Sequence, residues 1–123
     1  MKAVFIESFE FTEAVVDLLP NGLYANLQQE LMDAPDKGTV VPGCGGLRKL
    51  RTPDPSRQKG KRSGARLIYL YVPEARWFYM LDLYDKDEKE DLSAEEKKLL
   101  KQLAEQLKIE AVKAARRRKD EET

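Results

Sequence analysis

The run Arg66-Leu67-Ile68-Tyr69-Leu70-Tyr71-Val72 constrains the fold more than any other segment. After its first residue every position is aliphatic or aromatic, so neither face of the strand is polar. Such a strand belongs in the middle of a sheet, buried on both sides. Pro73-Glu74-Ala75 makes a tight turn after it, and Arg76 to Tyr84 reads as the next strand. Leu47 to Thr52 reads as a strand before it, and residues 2 to 7 as another near the start.

Helical signals flank these strands. Ser8 caps a helix expected through Leu19, with Phe9, Val16 and Leu19 available for burial. Pro20-Asn21-Gly22 breaks it. A second helix, about Leu23 to Asp33, places Leu23, Leu27, Glu30 and Leu31 at three- and four-residue spacings before Pro35, which makes a helical hairpin. Gly38 to Gly46 is turn-rich. Ser93-Ala94-Glu95-Glu96 is a capping box opening a last helix, whose expected apolar stripe is Leu99, Leu100, Leu103, Leu107 and Val112. With 123 residues and 41% apolar content, one domain with a modest core is expected.

Charge is distributed unevenly over this frame. The chain has 22 Lys and Arg against 22 Asp and Glu, a balance that conceals the segment from 43 to 71. There Arg48, Lys49, Arg51, Arg57, Lys59, Lys61, Arg62 and Arg66 face a single acid, Asp54. Such density on one hairpin is a footprint for polyanions, with nucleic acid the first candidate. Lys49 and Arg51 are two apart on a strand and share a face, and hairpin pairing brings Arg66 back near Arg51. The plain alternative is an exposed sheet face with ordinary surface charges. The connection from Pro53 to Gly64 is long for a hairpin, a property of functional or mobile loops.

The chain has no histidine, which excludes Ser-His-Asp and Cys-His catalysis and zinc sites built from Cys and His. Catalysis would fall to Lys, Arg, Tyr or carboxylates. A lone Cys44 excludes an internal disulfide and suits a reducing cytoplasm. No apolar run is long enough to span a membrane, and the start lacks the pattern of a secretory signal. Gly43-Cys44-Gly45-Gly46 fails the spacing of both phosphate-binding glycine motifs and reads as a turn feeding a strand, with Cys44 as a filler. Tyr84 either stacks on a base or donates a proton, or is structural like Tyr69, Tyr71 and Tyr79. The acids Asp82, Asp85, Asp87, Glu88, Glu90 and Asp91 lack the order of a calcium loop and read as a solvated turn. Arg116-Arg117-Arg118-Lys119 suits the negative end of a helix dipole.

Three stretches, Gly45-Gly46-Leu47-Arg48-Lys49-Leu50-Arg51, Gly60-Lys61-Arg62-Ser63-Gly64-Ala65-Arg66-Leu67-Ile68-Tyr69 and Tyr84-Asp85-Lys86-Asp87-Glu88-Lys89-Glu90-Asp91-Leu92, occur in that order. Together they resemble the HigB branch of the RelE toxin family, over about Val4 to Leu107. The resemblance implies a compact α/β (α+β) domain: a small, mainly antiparallel twisted sheet with two N-terminal helices and a C-terminal helix. It implies one toxin domain over residues 1–109, with 110–123 a charged helix end. It further implies a type II toxin that cleaves mRNA on the ribosome without metal or cofactor, in the cytoplasm. A cognate antitoxin of the helix-turn-helix HigA type would block it, with DNA contacted only through that complex. By the resemblance, Lys49 and Arg51 match the basic pair entering the active face, and Arg66 the arginine on the scissile phosphate. Lys86 and Tyr84 complete the expected catalytic set, while Arg48, Arg57, Lys59, Lys61 and Arg62 would bind RNA. Asp85 and Asp87 stand where the family commonly has Asn or an uncharged residue. The second reading is a catalytically weak RNA- or ribosome-binding domain of the same fold, acting through its antitoxin or another partner.

Overall fold

A computed structural model of the chain describes residues 2–52, 64–89 and 91–122. In chain order the elements are β1 (Val4–Glu7), α1 (Phe9–Leu18), α2 (Leu23–Asp33), β2 (Thr39–Val40), β3 (Arg48–Arg51), β4 (Ala65–Val72), β5 (Trp77–Asp85) and α3 (Ala94–Glu122). The strands form one sheet in the order β1-β5-β4-β3-β2. Every pairing is antiparallel except β1 with β5. The expected α+β architecture is present. β4 is its central strand, with Leu67, Ile68 and Tyr69 all at 0% exposure, so both faces of the sheet are covered there.

Alternation along the strands sorts the core into two layers. Leu50, Leu67, Tyr69, Phe78, Met80 and Leu83 pack with Phe11, Leu19, Leu27 and Leu31 of the helical hairpin. On the other face Leu47, Ile68, Leu70, Val72 and Tyr79 pack with Ala104 and Ala111 of α3.

A bulge in β5 changes that alternation. Ile68 pairs with Asp82 but Tyr69 with Met80, which leaves Leu81 as an extra residue. One extra residue transfers every later side chain to the opposite face. Met80 and Tyr84 are both even-numbered, yet Met80 packs under the hairpin and Tyr84 under α3. Ser8 secures the bulge: its hydroxyl donates to the Leu81 carbonyl (2.7 Å) and accepts the Phe11 amide (3.0 Å) as the cap of α1.

Two helical faces differ from expectation. Phe9 and Val16 are exposed (75% and 71%), whereas Leu19 and Phe11 are buried. The sheet lies against the stripe Phe11, Ala14, Val15 and Leu18, so Phe9 and Val16, seven apart, share the solvent side. On α3, Leu99 and Leu103 are exposed, while Leu100, Leu107 and Val112 pack inward beside Ala104 and Ala111. Alanines at the line of contact let the helix lie close: a Cβ on Gly45, in the turn before β3, would come within 2.9 Å of Glu105 and 3.4 Å of Ala104. The capping box closes as expected, with Ser93 accepting from the Glu96 amide (3.1 Å) and Glu96 from the Ser93 amide (2.9 Å). α3 continues unbroken through the charged stretch to Glu122. The Pro-Asn-Gly break holds Asn21 and Gly22 at positive φ (57° and 84°), a conformation that glycine tolerates best. Strand β2, two residues inside the turn-rich stretch, was not expected from the residues.

Candidate functional site

Strand register brings three of the expected residues into one row. Arg51 on β3 pairs with Arg66 on β4, and Arg66 pairs with Tyr84 on β5. Adjacent strands lie about 4.8 Å apart, so the row spans roughly 10 Å. The neighbouring row is Lys49, Ile68 and Asp82. Arg66 and Ile68 share the face of β4 that looks toward α3, as do Lys49 and Arg51 on β3. Tyr84 and Asp82 reach that face only through the bulge at Leu81.

Arg66 is 5% exposed, and its Nη1 donates to the Gly64 carbonyl (3.0 Å). Tyr84 is 3% exposed, and its hydroxyl is buried with no hydrogen-bond partner among the described residues. Burial pushes the phenol above its ordinary range and Asp91 adds to this, against the opposing pull of Lys89 and Arg66. It therefore stays protonated at neutral pH, as a weaker acid than a free phenol.

Lys89 covers this phenol, with its Nζ 4.6 Å from the ring centre. The same ammonium bridges Asp82 (3.2 Å) and Glu96 (2.7 Å), tying β5 to the first turn of α3. Burial disfavours its charge, but Glu96 and Asp82 outweigh that and raise its pKa. Lys49 is 3.4 Å from Asp91, which also lies 3.9 Å from Lys97. The Leu92 amide, together with Lys49 and Lys97, holds the Asp91 carboxyl below its usual range.

The remaining expected residues lie elsewhere. Arg48 sits on the opposite face from Lys49, and its Nη1 donates to the carbonyls of Asp36 (3.1 Å) and Gly38 (2.7 Å). Lys86 is exposed in the turn after β5, two residues beyond Tyr84. Arg57, Lys59, Lys61 and Arg62 lie outside the described residues. Beside the row, Lys37, Thr39, Lys49, Leu50 and Arg51 line a groove of about 480 Å³ along the part of β3 that β2 does not reach. Among the described residues no group of three His, Cys, Asp or Glu is placed to hold a metal ion. Asp87 and Glu88 lie exposed in the turn, in keeping with the solvated-turn reading, while Asp82 and Asp91 are joined to lysines. Sequence reading gave Lys89 no role and read Asp91 only as part of an acidic, solvated turn; the available signal was a lysine set among acids directly before the capping box.

Two guanidinium groups, an ammonium and a protonated phenol thus share one sheet face. That set can bind a phosphate and stabilise negative charge developing on it. No helix among the described residues is long and apolar enough to cross a membrane.

A family model described as "RelE toxin of RelE / RelB toxin-antitoxin system" matches residues 25–121. Among solved structures, that of the E. coli toxin RelE, a mutant in the free state, is similar, with a TM-score of 0.52 at 14% identity. The alignment covers 73% of this chain and 90% of that one, a likeness of fold. The family match begins within α2 and takes in every strand from β2 to β5, the candidate row and nearly all of α3. On that match the chain belongs to the RelE toxin family, whose toxins are paired with an antitoxin.

Proposed function

We propose that this toxin is a ribosome-dependent endoribonuclease of the HigB branch that cleaves mRNA in the cytoplasm. The row Arg51–Arg66–Tyr84, with Lys49 beside it, carries this reading. A backbone phosphate laid along the row meets donors from three strands of one rigid sheet. The ribose 2′-oxygen attacks the adjacent phosphorus, the bond to the 5′-oxygen breaks, and a 2′,3′-cyclic phosphate and a 5′-hydroxyl result. Arg66 and Arg51 stabilise the charge on the phosphate oxygens. Tyr84 supplies a proton to the departing 5′-oxygen, and the 2′-proton passes to Lys49 or Lys86 acting as the neutral amine.

No metal or cofactor takes part in this scheme. A chain without histidine has weak intrinsic acid–base chemistry, so alignment of message on the ribosome supplies what the side chains lack. The basic residues Arg57, Lys59, Lys61 and Arg62, which precede β4 in the sequence, bind RNA in this reading. The antitoxin is of the helix-turn-helix HigA type and provides the only contact with DNA.

A second reading has its own support. Asp91 and Asp82 neutralise Lys49 and Lys89 beside the row, as suits a catalytically weak domain that binds RNA or the ribosome through the same fold. Primer extension on a translated message separates the two: mapped cuts are expected, and translational arrest without cuts would favour the second.

A further inference from the structure

Asp91 and Lys49 are 42 residues apart in the chain, yet their charged groups lie 3.4 Å apart. The carboxylate is placed by the fold. Its Oδ1 accepts the Leu92 amide at 2.7 Å, and Leu92 is 5% exposed in the layer beneath α3. A second cation, Lys97 on α3, lies 3.9 Å from Oδ2. Two residues along β3 from Lys49, Arg51 stands in register with Arg66, so the pair lies at the edge of the basic row. The Asp91 side chain is 51% exposed, however, and an exposed ion pair is weak enough for a stronger anion to displace.

We propose that Asp91 is an internal stand-in for the substrate phosphate, held on Lys49 in the free protein and displaced when RNA arrives. It thereby sets how tightly the site holds RNA. The inference rests on Lys49 belonging to the RNA site. Every bound RNA gives up part of its attraction to Lys49 in displacing the carboxylate, and the cation cluster stays compensated when RNA is absent.

The test is the affinity of the full chain for a short fluorescein-labelled single-stranded RNA at low salt, read by fluorescence anisotropy. Asp91→Asn removes the charge but keeps the oxygen that accepts the Leu92 amide, so the loop stays anchored. It should bind about two- to fivefold more tightly than wild type, the range that an exposed ion pair is worth. Glu88→Gln makes the same change of net charge in the same loop and should gain less. In a Lys49→Met background, which itself binds more weakly, Asp91→Asn should lose most of its gain. Unchanged or weaker binding by Asp91→Asn would overturn the proposal. So would an equal gain from Glu88→Gln, or a full gain retained without Lys49. Equal binding by wild type and Lys49→Met would instead remove Lys49 from the RNA site and take the proposal with it.

Discussion

Tyr84 carries a hydroxyl that burial has removed from water without a partner among the described residues. A purely structural tyrosine in that position would be better as phenylalanine, because an unsatisfied buried hydroxyl costs roughly 1–3 kcal/mol. Tyr84→Phe should therefore hold or raise thermal stability while cleavage falls at least tenfold. A fall in stability with normal cleavage would mark the residue as structural. Arg48 and Lys49, adjacent in sequence, should separate in the opposite way. Arg48→Ala loses two bonds that tie β3 to the chain after α2, and should cost roughly 1–2 kcal/mol in denaturant unfolding. Lys49→Ala should leave unfolding nearly unchanged and weaken cleavage.

At the scale of elements, α3 is seated by small residues. Ala104→Leu should cost roughly 1–3 kcal/mol through overpacking, whereas Leu103→Ser, on the exposed side, should stay within about 0.5 kcal/mol, both read from unfolding midpoints. The first turn of α3 adds a dependence on acid. Lys89 and the Ser93 amide hold the Glu96 carboxyl below its ordinary 4.5. Its folded pKa is depressed, so its contribution is complete above 4.5 and is lost as pH falls through the lowered value. Stability should decline below that point, and more shallowly in Glu96→Gln. The same elements show what a sequence can disclose. β4 was legible because a strand without a polar face has only one place in a sheet, and the α3 start because its capping box is local chemistry. The buried sides of α1 and α3 were not: each helix carries more apolar residues than one face needs, and only the sheet decides which pack. The bulge at Leu81 left no mark in residue type, yet it brings Tyr84 beside Arg66.

For the whole molecule, the sheet is a rigid frame on which β3 contributes Lys49 and Arg51 to the proposed site, β4 Arg66 and β5 Tyr84. Lys49, Arg51 and Arg66 were legible as a basic hairpin, since cations two apart on a strand and across a hairpin must converge. The acid that meets Lys49, Asp91, comes from the loop before α3, a closure set by tertiary packing rather than by local pattern. The most direct test of the proposed activity maps 5′ ends on a defined message, free or engaged by ribosomes, after addition of the purified protein or its Arg66→Ala variant. Discrete cuts on the ribosome-engaged message are predicted for the wild-type protein, with few on the free message. A folded Arg66→Ala protein should cut on the order of a hundredfold more slowly, the usual cost of losing one donor to a developing charge. Equal cutting by the two proteins, or arrest of translation with no cuts from either, would contradict it.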